Sequence, residues 1–276
     1  MGPLARPGRR RRRRGGPARA PGAGTVHRVP GLACREQQPR ERAGAARAGS
    51  RGGPRGRRRP DDRRGRRRSG GVSERLHATP AGTARSATSE PSGDAAGTLV
   101  LGHGAGGLRW TADVTAVRDA ALGAGWRVVL VDQPWRVAGK RLGPGPAALD
   151  PAWVAVLRDL DPGPLLVVGG RSAGARVACR TASAVGARAV LALSFPLHPP
   201  GRPERSRADE LARPAADGLG VHVVQGRTDP FGTPAELRAV LPPRGTLAEV
   251  DGPHSLERSA PAVAAAALAV LASLTS

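Results

Sequence analysis

Three residues carry the chemistry this chain offers most directly. Ser172 sits in GRSAG (170–174), Asp229 in GRTDPFG (226–232) and His254 in DGPHSL (251–256). A serine hydroxyl is a weak nucleophile until a base takes its proton, and an imidazole does so best when a carboxylate orients it. Serine, then acid, then histidine is the chain order of sites built on a strand–turn–helix nucleophile elbow. The pattern G-x-S-x-G is weak on its own. With 39 glycines and 14 serines in 276 residues, chance supplies it about 0.3 times. Its surroundings have to decide.

Acyl transfer also needs two backbone N–H groups for the developing oxyanion, one just after the nucleophile and one from the loop after an earlier strand. Ala173 stands in the first position, and the glycine-rich GHGAGG (102–107) offers the second through Ala105 or Gly106. The remaining acids and bases fit less well. Asp251 is three residues from His254, a difficult reach, and Asp132 would require a different geometry. His198 precedes the acid, His222 lies inside an apolar run, and His27 and His77 fall in or beside the N-terminal tail. Cys34 and Cys179 form neither a disulfide framework nor a metal cluster, so no metal or cofactor is expected and a reducing compartment fits.

The elements that must position these residues follow from residue 98 on. TLVLG (98–102), RVVLVD (127–132), PLLVVG (164–169), RAVLALS (188–194), GVHVVQG (220–226) and TLAEVD (246–251) read as six strands. Most are apolar throughout, as in strands covered on both faces. Helical spacing marks 111–124, 151–160, 173–186, 206–213, 233–241 and 261–274, with Thr111, Asp150 and Thr233 at N-cap positions. This alternation predicts a doubly wound, mostly parallel α/β sheet with helices on both faces, spanning 95–276, and sites beyond the carboxyl ends of the strands. Ser172, Asp229 and His254 all follow strands.

The same loop supports a rival. Gly102, Gly104 and Gly107 satisfy G-x-G-x-x-G after a strand, and Asp132 ends the next one, as in a dinucleotide-binding Rossmann protein. The helix signal starts only near Trp110–Thr111, too late for the tight turn a pyrophosphate needs. That reading also leaves GRSAG unexplained.

Composition divides the chain. Residues 1–80 hold 24 arginines and 5 acidic residues, while the remainder holds 20 basic and 17 acidic residues. Only seven large apolar residues fall in the first 80, so a disordered Arg-rich tail is expected there. One functional reading is an arm with weak affinity for nucleic acid or another polyanion, although it lacks aromatic residues for stacking. The other is translation from a start codon placed too early, with Val72 a candidate alternative start. No apolar stretch follows the arginines to make an export signal, and the C-terminal AVAAAALAVLASL reads as too short and Ala-rich to span a bilayer. A cytoplasmic protein with no membrane partner is the expectation.

A substrate pocket is expected from the segments after the second and fourth strands. They offer Trp135, Phe195, Pro196 and Pro199 as apolar wall, beside His103 and His198. Arg136, Lys140, Arg141, Arg202 and Arg205 would form a cationic rim for an acyl substrate carrying a carboxylate or phosphate. The bland alternative is that these cations are solvated or paired with Asp132, Glu204, Asp209 and Glu210.

The blocks LVLGHGAGG, VDQPWRVAGKR, GGRSAGARVACRTA, LSFPLHPPGRPERSRADEL and VQGRTDPFG, within about 97–255, resemble bacterial α/β-hydrolases of the dienelactone-hydrolase-like type. More narrowly they are similar to the group that shares its domain with testis-expressed protein 30 and the third subunit of the NSL histone-acetyltransferase complex. The resemblance implies an α/β-hydrolase fold and a serine hydrolase for a small ester, thioester or lactone. It assigns nucleophile, acid and base to Ser172, Asp229 and His254. Serine stands where dienelactone hydrolases proper use cysteine. Because the animal relatives act as complex subunits, it also implies the alternative of a non-catalytic interaction module.

A chain beginning at Val72 is expected to unfold cooperatively on heating and to keep the activity of the full chain, because the tail holds no core-forming segment. Loss of a cooperative transition on truncation would contradict this.

Overall fold

Strands that are apolar at every position can lie only between two layers, and the central strands do so. In this computed structural model, which describes residues 71–276 and otherwise only Gly2, β3 (Thr98–Gly102), β4 (Arg127–Asp132), β5 (Leu166–Arg171), β6 (Ala189–Leu193), β7 (Gly220–Gly226) and β8 (Gly245–Val250) are all present. Their side chains divide with period two. Val100, Val129, Val168, Val190 and Val223 face one core with Trp153, Val177 and Leu211. Leu99, Leu101, Val128, Leu130, Val167, Leu191 and Leu193 face the other with Val114, Val117, Val263 and Leu271.

Two further strands precede these six. β1 (Val72–Thr79) and β2 (Gly82–Ser89) form a hairpin whose turn is Pro80–Ala81. The last residues of the tail expected over 1–80 are therefore a strand, and the folded region expected from 95 reaches back at least to Val72. The rest of that tail, with Cys34 and His27, lies outside the described residues. The hairpin escapes the sequence pattern because VSERLHAT and GTARSATS carry almost no large apolar residues. It is held instead by polar contacts. His77, nearly fully buried, lies 2.8 Å from Ser86 Oγ through Nε2 and 2.7 Å from Asp159 through Nδ1. Glu74 and Arg75 on the edge strand oppose pairing with another sheet.

The eight strands form one sheet in the order β1-β2-β4-β3-β5-β6-β7-β8. β2 runs antiparallel to both neighbours, and every pairing from β4 to β8 is parallel. The expected doubly wound, mostly parallel sheet is thus present. Helices α1 (Ala112–Gly123) and α7 (Ala260–Thr275) pack together on one face. A single-turn helix α2 (Pro134–Val137) follows β4. Helices α3 (Pro146–Asp159), α4 (Ala173–Thr181) and α5 (Ala208–Ala216) cover the other face, and α6 (Pro234–Val240) adds Leu237 to that core.

Helix ends follow the capping rules unevenly. Thr233 caps α6 through a capping box with Glu236, and Pro234 takes the first helical position. Asp150, expected to cap the helix over 151–160, lies inside α3 instead. The helix starts at Pro146 after Gly145, carries Pro151 in its interior, and leaves the Asp150 carboxylate to bind Arg180. The C-terminal helical segment, Glu257–Thr275, is longer than its sequence indicated and reaches membrane-spanning length and hydropathy. Here its Val263, Ala267 and Leu271 pack into the core shared with α1.

A chain starting at Gly82 should melt at least about 5 °C below one starting at Gly71, since it loses the β1 ladder and the His77 contacts. Equal melting temperatures would show that the hairpin adds nothing to stability.

Candidate active site

The elbow begins with close packing. A Cβ on Gly170 would stand 2.3 Å from the Gly102 carbonyl oxygen, and one on Gly174 would stand 2.4 Å from the same atom. Only glycine lets β5 and the start of α4 approach the end of β3 this closely. Between the two glycines Ser172 adopts φ 54°, ψ −108°, a strained conformation for a residue with a side chain. Its amide donates to Leu193 O at 2.9 Å, which ties the turn to β6.

Ser172 Oγ stands 2.9 Å from His254 Nε2, and His254 Nδ1 stands 2.8 Å from Asp229 Oδ2. A carboxylate only accepts, so Nδ1–H donates to Asp229 and the Nε2 lone pair faces the serine hydroxyl. Asp229 is buried just past β7. Its carboxylate accepts from the Phe231 amide and from Gln225 Nε2, both at 2.8 Å. Phe231 also packs on the His254 ring at 4.2 Å between centroids. The structure therefore brings together the three residues that chain order selected. This geometry can take a proton from a hydroxyl and return it to a leaving group.

The amide of Ala173 opens α4. Gly104 lies beside Ser172, its would-be Cβ 3.8 Å from the serine Cβ. Gly104, Ala105 and Ala173 line one small cavity of about 10 Å³, room for one water at most. Gly106, the other expected donor, lies in a β-bridge opposite Leu142, and the bond across it runs from the Gly143 amide to the Ala105 carbonyl at 3.1 Å.

Several polar residues brace these loops from beneath, and the sequence had not marked them. Arg171, the variable residue of GRSAG, donates to the His254 carbonyl at 3.0 Å, and its Nε lies 3.2 Å from the fully buried Asp113 at the start of α1. Gln225, the polar end of an apolar strand, shares its amide N–H groups among Asp229, the Gly232 carbonyl and the Phe195 carbonyl. A polar residue closing an otherwise apolar strand was the available signal for both.

The expected pocket residues separate. Trp135 is buried but borders both the small cavity and a neighbouring one of about 720 Å³, which Lys140, Leu142 and Leu149 also line. Phe195 is fully buried in the core and lines neither. Arg136 is not a rim cation. Its guanidinium is buried over Trp110, donates to Leu108 O at 2.8 Å and lies 3.3 Å from Asp132. His198 faces Glu236 and the Pro199 carbonyl rather than the serine. Arg202 is exposed in a turn and Arg141 is exposed, whereas Pro199 and Arg205 line a separate cleft. Asp251 is exposed and pairs with Arg227. Cys179 is buried, and burial pushes its thiol up to about 12, which removes it as a nucleophile. Among the described residues no cluster of His, Cys, Asp or Glu could hold a metal ion.

A family model described as an alpha/beta hydrolase domain matches residues 95–265. The chain belongs to the alpha/beta hydrolase family. The Rossmann reading falls with that assignment: α1 begins five residues beyond Gly107, and Asp132 is tied to Arg85 and Arg136. No curated protein matches in sequence. Among solved structures, an alpha-beta serine hydrolase homologue from Coxiella burnetii aligns at TM-score 0.58 and 18% identity, covering 72% of this chain and 97% of that one. An a/b serine hydrolase without lid from Xanthomonas campestris gives TM-score 0.56 and 21% identity over 74% and 96%. An esterase from Pyrococcus furiosus gives 0.58 and 17% over 75% and 92%. At these identities the likeness is one of fold.

His103 sets a pH limit on this member of the family. Its Nδ1–H donates to Gly104 O at 2.8 Å and its Nε2 accepts the Gln133 amide at 3.1 Å, so only the neutral ring satisfies both. Burial, then the charge of Arg136, outweighs the Gly104 bond and Asp132 and lowers its pKa to about 4. The unfolded chain binds a proton near pH 6.5 that the folded chain does not, so stability is full above that pH and falls as pH drops toward 4. Between pH 7 and 5 the expected loss is about 2 kcal/mol. Urea unfolding of the wild type and His103→Gln at both pH values checks this, and equal losses in the two would refute it.

Proposed function

We propose that this hydrolase cleaves a small ester, thioester or lactone through an acyl-enzyme on Ser172. The observation that carries the reading is the continuous hydrogen-bonded path from Ser172 Oγ through the His254 ring to a buried Asp229. His254 Nε2 takes the hydroxyl proton as Oγ attacks the acyl carbon, and the carbonyl π electrons move onto oxygen. The amides of Ala173 and of Ala105 or Gly106 then receive the oxyanion. Collapse expels the leaving group, which takes the proton from His254. Water, activated by the same ring, repeats the sequence and frees the acid. Asp229 stabilises the imidazolium in each half, and the hydrogen bonds from Gln225 and the Phe231 amide hold its carboxylate in place. The cavity bounded by Trp135 and Leu149 suits the apolar part of the substrate.

The esterase and serine hydrolase names of the structural neighbours agree with this reading. Within the family, the five motif blocks favour the dienelactone-hydrolase-like branch, with serine replacing cysteine as nucleophile.

The full chain should react with a fluorophosphonate probe and hydrolyse p-nitrophenyl acetate. Ser172→Ala should abolish labelling and lower kcat at least about 1000-fold, with Asp229→Asn losing a comparable factor. A folded wild type that neither labels nor turns over ester would favour the alternative of a non-catalytic interaction module.

A further inference from the structure

Arginines gather on the β6 side of Ser172. A cleft of about 480 Å³ is lined by Arg176, Pro199, Arg205, Ser206 and Arg207. One of its lining residues, Arg176, is on α4, the helix that follows Ser172. Arg176 lies one turn along α4 from the nucleophile, its amide donating to the Ser172 carbonyl at 3.2 Å, so the axial rise between the two is about 6 Å. The other lining residues belong to the segment joining β6 to α5. That segment is pinned by His198, whose amide donates to the carbonyl of Phe231, the residue packed on His254.

The charges in this corner do not balance. Arg176 is bidentate with Glu210, and Arg180 bridges Glu210 and Asp150, so two carboxylates serve two arginines. Among the described residues, neither Arg205 nor Arg207 has a carboxylate partner. Arg207 donates one nitrogen to the Pro196 carbonyl at 2.7 Å, and the nearby Glu204 and Asp209 pair with neither. Burial lowers the Arg207 pKa, the positive charges of Arg176 and Arg205 lower it further, and Glu210 only partly opposes them. A half-buried guanidinium facing like charges, with free N–H groups beside an open cleft, is arranged to receive an anion.

We propose that the Arg176–Arg205–Arg207 cleft binds an anionic group, carboxylate or phosphate, on the substrate whose acyl bond Ser172 attacks. This rests on the hydrolase reading above and adds its substrate class. In the sheet, β4 and its apolar cavity lie to one side of β5, and β6 with this cleft to the other. A substrate with an apolar end and an anionic end would lie across the nucleophile.

The test uses the full chain and three p-nitrophenyl esters of similar length: glutarate, with a free carboxylate, 3-phosphonopropionate, and neutral pentanoate. The kcat/KM ratio of an anionic ester to pentanoate should exceed that of spontaneous hydrolysis and fall with added NaCl. It should drop about tenfold in Arg205→Ala and further in Arg205→Glu. Arg205 is exposed, so these variants should fold, and an unchanged melting temperature verifies it. The glutarate and phosphonate arms show which anion is preferred. If pentanoate is hydrolysed in a Ser172-dependent way but the ratio ignores Arg205, the cleft proposal fails and the hydrolase reading stands. If no ester is hydrolysed, the hydrolase reading fails, and the substrate assignment of the cleft is overturned with it.

Discussion

The end of β3 approaches β5 and α4 so closely that no side chain fits between them. Gly102, Gly170 and Gly174 meet backbone to backbone, with the Gly102 carbonyl oxygen at the centre. A Cβ on Gly102 itself would meet Trp153 at 3.1 Å and the Gly174 Cα at 3.3 Å. This contact fixes two things together. It turns the chain sharply enough to hold Ser172 at a positive φ, and it brings the His103–Gly104 loop beside the serine. Any substitution that wedges the three glycines apart would displace nucleophile and loop as one. The fully buried Ala175 and Ala178 on α4 continue the same tight seam.

Loops rich in glycine and proline have few backbone hydrogen bonds of their own, so something else must hold them. Here the last residues of the strands do it. Asp132 ends β4 and anchors Arg85 and Arg136, the latter gripping the Leu108 carbonyl. Arg171 ends β5 and grips the His254 carbonyl. Gln225, one residue from the end of β7, secures Asp229 and Gly232. Buried polar groups of this kind cost free energy, and the bonds they make to loop atoms offset only part of it. Asp132 Oδ1, Arg171 Nε and Gln225 Oε1 have no hydrogen-bond partner among the described residues. The interior polar residues are therefore a scaffold for the loops above them.

Much of this was legible in the sequence, and the failures have physical causes. Strands β3 to β7 announce themselves because burial on both faces leaves few polar positions, and the edge strand β8 follows from its place after α6. The hairpin does not, since its strands are polar and its stability comes from His77, Ser86 and Asp159, which are distant in sequence or inconspicuous. The third helix was misplaced because Asp150–Pro151 imitates a cap, while Gly145–Pro146 a few residues earlier carries the real start. Ser172, Asp229 and His254 could be chosen because each follows a strand in the right order. Arg136 and Phe195 could not be placed, because loop sequence does not reveal which way a side chain points. Phe195 turns into the core and Arg136 turns under the glycine loop.

The aromatic residues give the molecule an optical property. The chain has four tryptophans and no tyrosine, so its near-ultraviolet absorption and emission belong almost wholly to indole. Trp126 sits in one core and Trp153 in the other, on opposite faces of the sheet. Trp110 and Trp135 meet the His103 ring edge-on at 5.6 and 5.1 Å. Single-tryptophan variants would therefore carry separate fluorophores for each layer and for the glycine loop, and light alone would distinguish loosening of one face from rearrangement around the nucleophile.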